Sequence, residues 1–246
     1  MLDQTWKRCL WWLCFCISPA ILIAVELFHP AGFTHDPGMF QYLSHDEPHT
    51  HEHKSLGYFG PEWWFALHMV QTPLVCFVAI GLWLLVSDVG RDDGLWPATF
   101  AWLSRAATFV FAVYYTALDA VGGFGMARSI LITQELTAEG VLTKDQMDGV
   151  AIMLNRLWVD PWVGGQGSMV SETGSWAVFA AALAAAIALF LQRRTPWPPL
   201  VLLIAFGWEL QVSHAMPHGP IAFSLLLAAS FWLMVHHRRH HTKKAT

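Results

Sequence analysis

The chain has 246 residues, 55% of them hydrophobic and only 13% charged, with a formal net charge of −4. Soluble domains carry about 25% charged residues, so this composition argues against one. The small net charge, with no basic patch outside the tail, argues equally against a nucleic-acid partner. Fourteen Trp against four Tyr suits a surface at the lipid boundary, where an indole is half buried and its N–H stays wet.

A membrane span needs about 20 mostly apolar residues. Such stretches occupy 9–28, 62–87, 98–121, 174–191, 198–215 and 219–236. They predict an all-α polytopic transmembrane bundle of about six spans, forming a single membrane domain over 1–246. Lys7 and Arg8 precede the first stretch in the manner of a signal peptide. That stretch is longer than a signal core, rich in Trp and without a small-x-small cleavage site, so it reads as an uncleaved anchor. Residues 29–60 form a His-rich outer loop. In the second span Thr72-Pro73 predicts a kink, because proline removes a backbone hydrogen bond.

Residues 122–173 form a second outer segment, opening on Gly122-Gly123. Inside it a short amphipathic helix runs from Lys144 to about Trp158. Thr143 and Gln146 match a capping box. Met147, Val150, Leu154 and Leu157 make an apolar face, opposed by Lys144, Asp145, Asp148 and Arg156. This helix is expected to lie on the outer interface or to cap the bundle. The fourth span is rich in Ala from Ala177 to Leu191, which permits close helix approach. Pro196, Pro198 and Pro199 punctuate the turn into the fifth, and Met216-Pro217-His218-Gly219-Pro220 makes the outer turn into the sixth.

Orientation follows from the cations of the short loops and termini. With six spans, Lys7, Arg8, Arg91, Arg193, Arg194, Arg238, Arg239, Lys243 and Lys244 all fall on one side, which is then cytoplasmic. Both termini lie there. The tail histidines and arginines from His236 to His241 read as contact with anionic lipid. The Trp residues fall into two belts, with Trp6, Trp96 and Trp197 toward the inner boundary and Trp63, Trp176 and Trp208 toward the outer one.

Ionisable groups inside a membrane need a partner, a cavity or a function. Depth along the helices places Glu26, His29, Glu62, His68, Asp119, His214 and His218 in the outer half, with Glu209 nearer the middle. Arg105, in the inner half, is expected to snorkel toward the cytoplasm. Imidazoles and carboxylates at one depth suit a transition metal such as Cu, Zn or Fe. Glu26 and His29 have the Glu-x-x-His spacing of helical di-iron sites, in one copy only. Haem between His68 and His214 is a weaker alternative, with no haem motif behind it. A proton relay through the same groups is another. In the outer loop His45, His49, His51 and His53, among Asp46, Glu47 and Glu52, read as a secondary metal-capture cluster.

Cys9, Cys14, Cys16 and Cys76 lie in apolar stretches without a C-x-x-C and read as small hydrophobes. G-x-S-x-G, H-E-x-x-H and a Walker loop are all missing. That lowers the odds of a familiar hydrolase or ATPase and leaves enzymatic activity open.

The pattern Phe28-His29-Pro30, Trp64 through His68, Tyr115 through Asp119 with Gly122, and His214 to Pro220 resembles a group of uncharacterised bacterial six-span integral membrane proteins. The resemblance implies a multi-pass protein of the bacterial inner (cytoplasmic) membrane and carries no reaction or ligand. The residues themselves favour binding of a transition metal near the outer, periplasmic face. One alternative is a non-catalytic accessory or scaffold subunit of a larger membrane complex. Another is a small-solute or ion transporter using Glu209 and Asp119 as coupling groups.

Overall fold

Long apolar runs without strand-like alternation leave the backbone one way to satisfy its own polar groups away from water, the helix. In the computed structural model, which describes residues 4–29, 38–44, 60–193 and 195–242, all regular structure among the described residues is helical. In chain order the α-helices are α1 (Gln4–Trp12), α2 (Ser18–Leu27), α3 (Met39–Ser44), α4 (Pro61–Leu85), α5 (Leu95–Leu118), α6 (Met126–Ala138), α7 (Lys144–Trp158), α8 (Met169–Leu191), α9 (Trp197–Val212) and α10 (His218–Thr242). A π segment, Leu13–Ile17, joins α1 to α2, and another, Asp119–Gly125, joins α5 to α6.

Five stretches are long and apolar enough to cross a membrane: Arg8–Leu27, Pro61–Leu85, Leu95–Ala138, Met169–Leu191 and His218–His236. These apolar helices are those of a membrane protein. The fifth expected span, 198–215, corresponds to α9, which at 16 residues is shorter than the others. The third differs most from the sequence reading. The helix does not end at 121 but runs on to Ala138, 44 residues in all. Gly122-Gly123 does not open a loop. The glycines are absorbed into the π segment, where Gly123 alone has non-helical dihedrals (φ −88°, ψ −109°).

The chain divides into two compact units. The first comprises Met1–Leu27, Leu74–Ala112 and Ser175–Thr246, and the second Phe28–Pro73 and Val113–Gly174.

In the first unit α10 packs on α9 and α2. The Ala-rich α8 acts as the sequence suggests, burying Ala181, Ala182, Ala185 and Ala188. Gly207 of α9 lies so close that a Cβ there would meet Ala182 Cβ at 2.8 Å, a small-on-small contact that brings the backbones together. Phe206 and Phe223 stack at 6.3 Å between ring centroids, both fully buried. Arg105 extends toward the α4–α5 connection, the direction expected of it, but its guanidinium ends on protein carbonyls. Its side chain is buried, rests against Trp102, and donates through Nη2 to the carbonyls of Val86, Ser87 and Val89. Those carbonyls follow the last turn of α4; Val86 O also accepts from Val89 N, and the guanidinium adds donors for this exhausted helix end.

The second unit has its own core. Met39, Phe40 and Leu43 of α3, Trp64 of α4, Met126, Ala127 and Ile130 of α6, and Ala151, Leu154 and Trp158 of α7 pack together. The capping box of α7 forms as the sequence predicts, with Thr143 Oγ1 accepting from Gln146 N and Gln146 Oε1 accepting from Thr143 N. Met147, Val150 and Leu157 pack against this core, so the apolar face of α7 covers α3 and α6. Asn155 ties α3 down, accepting from Phe40 N at 2.7 Å and donating to Gln41 Oε1 at 2.9 Å.

Replacing Arg105 with Ala should lower stability by about 3 kcal/mol, because hydrogen bonds from a charged donor are worth about 1.5–3 kcal/mol each. Replacing Arg128, whose pair with Glu135 is solvent-exposed, should change it by less than about 1 kcal/mol. Denaturant titration of both variants in one detergent measures the contrast.

Candidate functional site

The candidate residues of the second unit gather round the first turns of α4. Trp64 and His68 are one turn apart on its buried face, with ring centroids 4.5 Å apart. His29 packs its ring 5.1 Å from Trp64 and 5.4 Å from His68. His29 and His68 are both 3% exposed, so this is a buried imidazole pair. Each offers a ring nitrogen within 4.8 Å of the other's, a spacing that one metal ion would bridge.

Helix geometry sets the tautomer of His68. Its Nδ1 is 2.8 Å from the carbonyl oxygen of Trp64. A carbonyl can only accept, so Nδ1 carries the proton and donates, and Nε2 is the nitrogen left with a lone pair. A metal-binding histidine is typically held in this way, with one ring nitrogen donating to a carbonyl and the other directed to the ion.

The π segment shapes the other wall. Trp64 Nε1 donates to the carbonyl of Gly122 at 2.9 Å. A Cβ at Gly123 would strike the His68 imidazole, so glycine is what lets ring and backbone share this space. Gly122 lies against the ring of Trp158, which also presses on Gly165.

Asp119, 1% exposed, begins the π segment. Its Oδ2 is 2.7 Å from Thr72 Oγ1, and Thr72 also bonds the His68 carbonyl at 2.8 Å. Beside this, Gln71 Nε2 donates to Tyr115 Oη at 2.8 Å. Glu62 lies on the first turn of α4 and is exposed, on a different face from buried His68.

In the first unit, Glu26 is fully buried on α2 and its Cβ closely approaches Gly219. His214 follows α9 and is half-buried. His218 bonds Glu209 through Nδ1 at 2.8 Å, both partly exposed. Glu209 is therefore engaged by a histidine at the start of α10. His45, His49, His51 and His53 lie outside the described residues.

Sequence reading missed Thr72, Gln71, Tyr115 and Trp64 as parts of the site. A spacing signal existed for three of them. Trp64 and Thr72 stand one helical turn either side of His68, and Tyr115 one turn before Asp119.

Fold and site together define a class: an all-helical membrane protein with a buried imidazole pair beside a π-type helix break. No family model matches the chain, and no curated protein or solved structure matches it.

The clash at Gly123 gives a direct test. Gly123→Ala should destabilise the protein by about 1–3 kcal/mol, the usual penalty of overpacking. Gly149→Ala, on the exposed face of α7 with nothing near its Cβ position, should stabilise it by up to about 1 kcal/mol. Thermal unfolding of the two variants should shift in opposite directions.

Proposed function

We propose that this chain is a multi-pass protein of the bacterial inner membrane that binds a transition metal near its periplasmic face. His29 and His68, both of the second unit, are the paired ligands. In this reading α9 counts as the fifth of six spans, and both termini face the cytoplasm. The exposed indoles of Trp6, Trp96, Trp162, Trp176, Trp197 and Trp208 meet the lipid boundary.

One observation carries the metal reading, the anchoring of His68 Nδ1–H on the Trp64 carbonyl beside a second buried imidazole. Two buried rings with nitrogen lone pairs favour a borderline or soft cation, so Cu, Zn or Fe fits better than Mg or Ca. Such an ion, when bound, would supply Lewis acidity or redox chemistry. The chain itself holds the rings in orientation, through the Trp64 carbonyl, and encloses them with indole and glycine backbone. Glu62 and His218 have no part in this set, the first because it is exposed and the second because Glu209 holds it.

The protein should be purified without a His tag and its metal per chain measured by mass spectrometry. His29→Ala and His68→Ala should each remove most of the bound metal, while His218→Ala should leave it unchanged. His68→Gln, which keeps an N–H donor on the side chain, should lose metal with little loss of thermal stability. Metal retained in both the His29 and His68 variants would overturn the assignment and point to the outer loop instead.

A further inference from the structure

The seam between α4 and α5 in the second unit buries two side-chain oxygens without a hydrogen-bond donor among the described residues. Two cross-links stand side by side there, Gln71 to Tyr115 and Thr72 to Asp119. Gln71 and Thr72 are neighbours on α4, while Tyr115 and Asp119 are one turn apart on α5 and the π segment that continues it. Gln71 is fully buried and Asp119 nearly so. Nevertheless, Gln71 Oε1 and Asp119 Oδ1 have no hydrogen-bond partner among the described residues. Thr72 has one hydroxyl proton, yet its oxygen lies within bonding distance of both the His68 carbonyl and Asp119 Oδ2. Two oxygens therefore compete for the Thr72 hydroxyl proton, and two more, Gln71 Oε1 and Asp119 Oδ1, have no donor.

Buried polar atoms in proteins are satisfied in more than nine cases in ten. A proton on Asp119 Oδ1 would turn that oxygen into a donor, and the test below separates this case from a bound cation. A small hard cation accepts lone pairs from several oxygens at once. Its charge is set by the surroundings. Asp119 is the one carboxylate at this seam, and no cation pairs with it among the described residues: Arg128 pairs with Glu135 on exposed surface. One positive charge balances one carboxylate, whereas a divalent ion would leave a net buried charge, which is costly.

We infer that Asp119, Gln71 and Thr72 form a binding site for an alkali-metal cation of the sodium class, distinct from the imidazole pair. The donors are hard oxygens, which a soft or borderline metal disfavours. His68 takes part only through its backbone carbonyl, and its ring remains with His29. The site is independent of the transition-metal reading and stands if that reading fails.

The test is the thermal unfolding midpoint of the purified protein in NaCl, KCl or choline chloride at equal ionic strength. A ligand that binds only the folded state raises the midpoint with its concentration. The midpoint should rise with Na+ and stay flat with choline, and K+ shows how far the site selects by size. Asp119→Asn keeps the shape and the Thr72 contact but removes the charge, so its response to Na+ should be lost. Gln71→Met removes Oε1 alone and should require several-fold more Na+ for the same shift. Metal content at the imidazoles should be unchanged in both variants. An equal midpoint in Na+ and choline, or an undiminished Na+ response in Asp119→Asn, would overturn the inference. So would a folded Asp119→Asn protein whose only change is in pH dependence, since that marks a proton site.

Discussion

Much of the second unit depends on the break in the helix at Gly122 and Gly123. A regular α-helix would direct the Gly122 carbonyl to an N–H of its own chain and place a side chain at 123. The π segment instead presents that carbonyl to the indole of Trp64, and glycine leaves its Cβ volume to the ring of His68. The fixed indole then forms one side of the imidazole pair and, through Trp158, meets the core beneath α7. Wide turns of this kind are frequent at functional sites because they re-aim side chains without ending the helix.

Side-chain hydroxyls elsewhere show how ordinary the alternative is. Thr99, Ser129, Thr133, Thr137, Ser224 and Ser230 each donate to the carbonyl four residues earlier, closing their hydrogen bonds within one helix. Thr72 makes the same bond and in addition reaches Asp119 across to another helix. That second contact sets it apart. Arg105 solves the opposite problem, a buried cation that finds its acceptors at the exhausted end of a neighbouring helix.

Two kinds of chemistry are thus separated by a single turn of α4. Around His68 the donors are nitrogen lone pairs walled by aromatic rings. Around Thr72 they are oxygens of a carboxylate, an amide and a hydroxyl. Ligand softness differs between the two, so the two proposed sites would select different ions. The backbone between them is shared, since the carbonyl of His68 accepts the Thr72 hydroxyl.

Length and composition alone determined the helical class, the positions of the apolar helices and the capped start of α7 at Thr143. These are local properties, written in runs of apolar residues and in spacings of three and four. The depth argument also picked out His29, His68 and Asp119, because a polar residue in an apolar run is visible without any fold. Tertiary structure decided what each of them meets. It set His29 against His68, gave Asp119 to Thr72 and Glu209 to His218, and turned Arg105 onto the end of α4. It also carried the third apolar helix through two glycines that, read locally, mark a loop. No local rule reports that an indole and an imidazole from another helix will occupy the space those glycines leave empty. That contact joins residues more than fifty positions apart in the chain, and only folding brings them together.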